Sequence, residues 1–190
     1  MVLPIYGFGK QSLRIKTKEI DKDYPKLNEL IANMFDTMEK AYGVGLAAPQ
    51  VGLPISLFIV DTCSFDEEYP GQNNFKKVLI NPKIEEFFGE DWVFNEGCLS
   101  VPDIREDIVR KSKIKIRYFD EEFNEHVEEY EGIISRVIQH EYDHLEGKLF
   151  IDKVSSLKKM LLKKKLSSIS KGAVTVNYKM NFSNSSKNKK

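Results

Sequence analysis

Between residues 132 and 146 apolar side chains return every three or four positions, at Ile133, Ile134, Val137, Ile138 and Leu145. This is the spacing of one face of an α-helix. Ser135 is a weak helix former, but Glu, Arg, Gln and Leu around it are strong ones, and Gly147 stands where such a helix would stop. A second helical face runs through Leu27, Leu30, Ile31, Met34 and Met38, within 25–41. Pro25 suits its first turn. A third, near 154–166, carries Leu157, Met160, Leu161, Leu162 and Leu166. Between these stretches the pattern changes. Residues 113–118 alternate, Ile55–Val60 and Val78–Ile80 are short apolar runs, and Phe87, Phe88, Trp92 and Phe94 suggest another strand pair. The order predicts an α+β fold, with a curved, mostly antiparallel sheet packed around the 132–146 helix. The chain shows no internal repeat.

The central helix carries His140-Glu-Tyr-Asp-His144. Residues four apart lie on one helical face, one turn apart, so the two rings can converge on one ion. Glu141, beside the first histidine, can then handle the protons of a water activated there. Val137, His140, Glu141 and His144 continue the stripe of Ile133 and Ile134, which turns the polar trio toward the core. Buried His and Glu are costly unless they are bonded or hold a metal. The alternative is a pair of core histidines satisfied by hydrogen bonds.

A catalytic ion of this type keeps three protein ligands and one open position. A histidine six residues after His144 would fall at Phe150, and no Glu follows Glu146 and no Asp follows Asp152. The third ligand therefore comes from upstream or is Asp152. Cys98 lies in Glu96-Gly-Cys-Leu-Ser-Val-Pro102, where Gly97 and Pro102 suggest a bend, and a thiolate suits zinc or ferrous iron. Cys63 ends an apolar run and reads as a structural thiol. A disulfide between the two is not expected in a chain with no export signal. His126 reads as a surface histidine on a strand.

Residues 43–50, Gly-Val-Gly-Leu-Ala-Ala-Pro-Gln, fit the dinucleotide pattern GxGxxA letter for letter. That pattern needs a strand before it and a helix after it. Here a helix precedes and a strand follows, so the nucleotide reading fails. A glycine turn that lets a substrate backbone come close fits better, with Gln50 as a neutral donor at its end. An ordinary helix–strand connection is the plainer alternative.

The three segments together resemble the peptide deformylase family, which carries GxGxAAPQ, EGCLS and QHExDHLxG in this order. This chain has them at 43–50, 96–100 and 139–147, and the likeness spans roughly residues 1–165, with Gly7, Leu13 and Arg14 a looser match at the start. The resemblance implies that Cys98, His140 and His144 bind the metal, and that Glu141 is the general base and then the proton donor. It implies that Gln50 and the Leu99 amide stabilise the oxyanion and that Gly45 bonds the substrate backbone. Val44, Glu96, Ile133 and Val137 fall where the family forms the methionine pocket, and Arg105 where members often have an arginine near the substrate. Arg136 departs from the apolar residue that other members can have. The implied ion is Fe2+, with Zn2+, Ni2+ or Co2+ as substitutes. The implied substrates are nascent peptides beginning with N-formylmethionine.

With 190 residues, 41% of them hydrophobic, the chain can bury one real core. No run approaches the ~18 apolar residues of a membrane span, and residues 1–7 do not read as a signal peptide. A cytoplasmic, bacterial-type location is expected, with no membrane partner. The net charge is zero but uneven: residues 153–190 hold eleven lysines and no acid, which leaves 18 basic against 29 acidic residues in 1–152. The expected organisation is a catalytic domain over 1–166 and a lysine-rich extension over 167–190, with one strand around 173–178 and a disordered end at 183–190. Such a tail can bind RNA phosphate, which for an enzyme meeting nascent chains means the ribosome, or it can simply balance an acidic body. Two other readings stand beside the deformylase: a metallopeptidase using the same three ligands, and a non-catalytic RNA-binding protein acting through the tail.

Overall fold

The computed structural model describes residues 1–65 and 75–183. Its centre is a five-stranded antiparallel sheet in the order β2 (Gly45–Ala47), β3 (Leu57–Asp61), β4 (Lys76–Cys98), β5 (Val101–Phe119) and β6 (Glu125–Glu131). The apolar run expected over 55–60 is continuous, rather than alternating, because β3 is covered on both faces. Leu57 and Ile59 point to α1 (Leu27–Lys40) and its Ile31, Met34 and Met38. Phe58 and Val60 point to α2 (Gly132–Leu145) and its Val137, Ile138 and Leu145. Successive strand residues face opposite sides, so one strand serves two cores.

The aromatic region expected as a strand pair is part of something longer. β4 runs for 23 residues and β5 for 19, joined by a tight turn at Leu99-Ser100. Register shifts at Ile80/Lys83, Ile84/Glu86, Phe88/Asp91 and Gly97/Cys98 bend the ladder, as bulges do. The inner ends are buried at Val78–Ile80 and at Ile114, Ile116 and Tyr118, while Phe87, Val93 and Val109 are exposed. The hairpin thus leaves the core and returns to it, delivering Glu96 and Cys98 beside α2.

The third helix, α3 (Ser156–Ser170), is capped by the Ser155 side chain, which accepts from the Lys158 amide. It continues past 166 because Ile169 is buried against Val101, Ile104 and Phe150. Of its expected apolar face only Leu162 and Leu166 pack; Leu157, Met160 and Leu161 are exposed. The division expected at 166/167 falls inside α3. Residues 173–178 join no ladder and bend at 177–178, and the strand lies two residues later: β7 (Met180–Asn181) pairs in parallel with β1 (Ile5–Tyr6). The shift has a packing cause, because Phe182 seats against Gly7, where a Cβ would stand 2.9 Å from its ring. The disordered end expected at 183–190 lies, beyond Ser183, outside the described residues. No described helix is long and apolar enough to cross a membrane.

Candidate active site

Cys98, at the end of β4, meets His140 and His144 of α2. The ligand atoms of the three lie within 4.8 Å of one another, with Cys98 Sγ 3.4 Å from His144 Nε2. A tetrahedral ion with bonds of about 2.3 Å to sulfur and 2.05 Å to nitrogen would set its S and N ligands about 3.5 Å apart. The spacing therefore fits. The donor set fits as well, since one thiolate with two imidazoles suits zinc or ferrous iron and their neighbours. His140 presents Nδ1 to Glu96 Oε2 at 2.9 Å, which leaves Nε2 as its ligating nitrogen, the carboxylate–histidine arrangement common behind metal ligands. Burial would lower the His140 pKa, but Cys98 and Glu96 outweigh it and hold it well above the usual value. These surroundings favour a positive charge at this position, and a metal ion would take the place of that proton.

Asp152, the alternative ligand, is occupied elsewhere. It accepts from Arg14 Nη1 at 2.5 Å and from the Leu149 amide at 2.8 Å. Cys63, read as a structural thiol, is exposed, and the two cysteines form no disulfide. It sits past the end of β3, where the chain has already left the core. His126 is on β6, with Nε2 2.8 Å from Asp120 and its ring stacked on Tyr118.

Glu141 is buried, and its Oε2 has no hydrogen-bond partner among the described residues. Burial disfavours its charged form and pushes the carboxyl up to about 7, against the pull of His140. Gly45 faces it: a Cβ there would lie 2.8 Å from Glu141 Cδ, so the glycine is what lets strand and carboxylate approach. Gln50 sits in the short helical turn Ala48–Val51 that follows β2. Its Oε1 accepts from the Ala47 amide at 2.8 Å, which aims Nε2 at Ser100 Oγ, 3.2 Å away, and toward Cys98 Sγ at 3.6 Å.

These groups share one cleft of about 700 Å³, lined among others by Val44, Gly45, Gln50, Glu96, Cys98 and Leu99. Arg105, Arg136, Val137, His140 and Glu141 also line it. Of the residues expected in the methionine pocket, Val44, Glu96 and Val137 stand on this wall; Ile133 is fully buried and is not among the lining residues. Arg105 is exposed, with Nε 2.9 Å from Asn95 Oδ1.

Glu96 has a larger part than its motif suggested. Its carboxylate accepts from Arg110 at 2.7 and 3.0 Å and from Arg136 at 2.9 Å, besides His140. Arg110 continues to Asp143 at 2.6 Å. Burial pushes the Glu96 carboxyl up, but these partners hold it well below the usual carboxylate range. Arg136 stacks on Trp92 and Phe94, 4.8 and 5.7 Å from the ring centres. The sequence reading missed Arg110 and Asp143. One signal was present: Arg110 shares its strand parity with Ile104, Ile108, Ile114 and Ile116, all buried.

The chain matches the family model described as Polypeptide deformylase over residues 2–160. It is 56% identical to a peptide deformylase of Christiangramia forsetii, covering 98% of this chain and 99% of that one. It is 53% identical to one from Flavobacterium johnsoniae, covering 96% of each. Among solved structures, a peptide deformylase from Legionella pneumophila superposes with a TM-score of 0.79 at 35% identity, over 91% of this chain and 98% of that one. The Thermotoga maritima peptide deformylase superposes with a TM-score of 0.73 at 40% identity, over 82% and 99%. With the motif-bearing segments gathered in one cleft and a family match over most of its length, this chain belongs to the polypeptide deformylase family.

Proposed function

We propose that this cleft hydrolyses the formyl amide of N-formylmethionyl peptides, releasing formate and a free amine. The observation that carries the reading is the convergence of Cys98 and His140 with an unpartnered Glu141 oxygen and the Gln50 amide in one cleft, with buried His144 completing the ligand cluster beside Cys98. A divalent ion held by Cys98, His140 and His144 would supply Lewis acidity and make a water there more acidic; ferrous iron is the ion proposed, with zinc, nickel or cobalt as substitutes.

The protein's own groups do the rest. Val44 and Val137, on the cleft wall, receive the methionine side chain, while Gly45 leaves the strand backbone open to the peptide. Glu141 takes a proton from the attacking water as its oxygen bonds to the formyl carbon. Negative charge then grows on the formyl oxygen, where Gln50 Nε2 and the Leu99 amide are the proposed donors. Fixed donors of this kind cost no reorganisation during the reaction. Glu141 returns its proton to the amine as the carbon–nitrogen bond breaks, which balances the hydrolysis. Arg105 is proposed to meet the peptide at the cleft edge.

A cytoplasmic setting and the ribosome as partner complete the proposal. The lysines of α3 and of the segment beyond it supply the charge that would meet RNA phosphate. The competing metallopeptidase reading uses the same ligands on peptide bonds. Protein loaded with nickel without oxygen should release formate from formyl-Met-Ala-Ser and leave Met-Ala-Ser intact. Cleavage of the unformylated peptide with no formate release would favour the peptidase.

A further inference from the structure

The segment after α3 does not trail away from the body. Its start is tied to the helix end, with the Ala173 amide donating to Ser168 O at 2.9 Å. Its far end joins β1, where the Ile5 amide donates to Lys179 O at 2.8 Å and the Gly7 amide to Asn181 O at 2.9 Å. Phe182 closes this attachment by packing with Val174 into the cluster of Val101, Ile104, Leu162 and Ile169. Between the two anchors residues 173–178 form no regular element and bend at 177–178, yet their exposure alternates. Val174, Val176 and Tyr178 are half-buried, while Ala173, Thr175 and Asn177 are exposed. This period of two is that of a strand with one face on the protein.

The stretch borders the catalytic cleft, where Thr175, Val176, Asn177 and Tyr178 line the same space as Glu141 and Cys98. Tyr178 goes further. Its hydroxyl donates to Leu99 O at 2.8 Å. On the other side of the same turn the Phe8 amide donates to Ser100 O at 2.8 Å. The Leu99-Ser100 turn is therefore gripped from the chain's first residues and from its last described ones.

We propose that residues 175–178 form a wall of the peptide cleft and that Tyr178 is a positioning residue, holding Leu99 where its amide can meet the formyl oxygen. This rests on the deformylase reading above. The wall would touch the peptide beyond its first residue, whereas Tyr178 acts at the formyl end. The two roles therefore separate by substrate length.

The test uses full-length, nickel-loaded protein with formyl-methioninamide and formyl-Met-Ala-Ser. Tyr178→Phe keeps the ring in its apolar contacts and should keep the thermal midpoint. It is expected to lower kcat by about fivefold, the worth of one hydrogen bond, equally on both substrates and with KM little changed. Thr175→Trp, at an exposed position, is expected to raise KM severalfold for the tripeptide alone. Rates are taken per bound nickel: a mere loss of active protein would lower metal content in step with rate, whereas the positioning role lowers the rate at unchanged metal content. If the wild type works and Tyr178→Phe matches it, the positioning role is overturned. If Thr175→Trp leaves the tripeptide KM unchanged, the wall is overturned. A wild type that releases no formate from either substrate would instead sink the deformylase reading itself.

Discussion

Glu96 and His140, 44 positions apart in sequence, meet through a 2.9 Å contact between Oε2 and Nδ1, and the same carboxylate also joins Arg110 and Arg136. One buried acid thus orients a proposed metal ligand and is shared by two buried guanidinium groups, one of which also pairs with Asp143. Glu96→Gln would leave Arg136 without its counter-charge and Arg110 with Asp143 alone. Breaking such a pair costs about 3–5 kcal/mol, and loss of the partner behind a ligating histidine weakens metal binding by about 10–100-fold. Denaturant unfolding of the metal-free protein and competition with a chelator measure the two effects separately. Wild-type values in both would remove Glu96 from this role.

Gly45→Ala tests the close approach of β2 and α2. The new Cβ would lie 2.8 Å from Glu141 Cδ, so the carboxylate must move. A displacement of about 1 Å at a reacting group can cost ~100-fold in rate. kcat/KM should fall on that scale, with the thermal midpoint much less affected. Unchanged kinetics would show that the carboxylate has another productive position.

Gln50→Ala removes both a donor aimed at the site and the acceptor of the buried Ala47 amide. Loss of an oxyanion donor typically lowers kcat by about 10²–10³, and an unpaired buried amide costs about 1–3 kcal/mol of stability. Steady-state kinetics and denaturant unfolding would each register their part.

Away from the site, Glu128 sets an acid limit on stability. Burial pushes its carboxyl up, but hydrogen bonds from Lys77, Tyr118 and Tyr130, with the charge of Lys77, hold it at about 2. Its folded value is thus depressed below the ordinary 4.5. The stabilisation it gives is complete above 4.5 and fades as the pH falls toward 2. In Glu128→Gln the slope of stability against pH should flatten in that window. Because the carboxylate is about a third exposed, the loss at neutral pH should be no more than about 1 kcal/mol. Titration of unfolding free energy between pH 5 and 2 compares the two proteins, and equal slopes would contradict the assignment.

The chain announces its site locally and hides what supports it. The segments at 43–50, 96–100 and 139–147 are short and contiguous, so their residue types could be recognised one by one, and the 3.6-residue stripe of α2 already turned His140, Glu141 and His144 inward. Arg110 and Asp143 were not legible because their meaning is pairwise, across 33 positions, and a charged residue read alone looks solvated. Asp152 remained open as a ligand until its partner Arg14 was seen. The apolar spacing of α3 promised a face through Leu157, Met160 and Leu161 that the body does not cover. Tyr178 lies in a stretch without a motif, and only the pairing of β7 with β1 carries it over Leu99.

The central claim is that Glu141 moves the protons of formyl-amide hydrolysis. Formate release from formyl-Met-Ala-Ser should be measured for wild type and Glu141→Gln, each loaded with nickel without oxygen and assayed for bound metal. Removing a general acid–base group costs about 10²–10⁴ in kcat, so the account predicts a fall of at least that order with metal content unchanged. A metal-loaded Glu141→Gln that releases formate at the wild-type rate would contradict it.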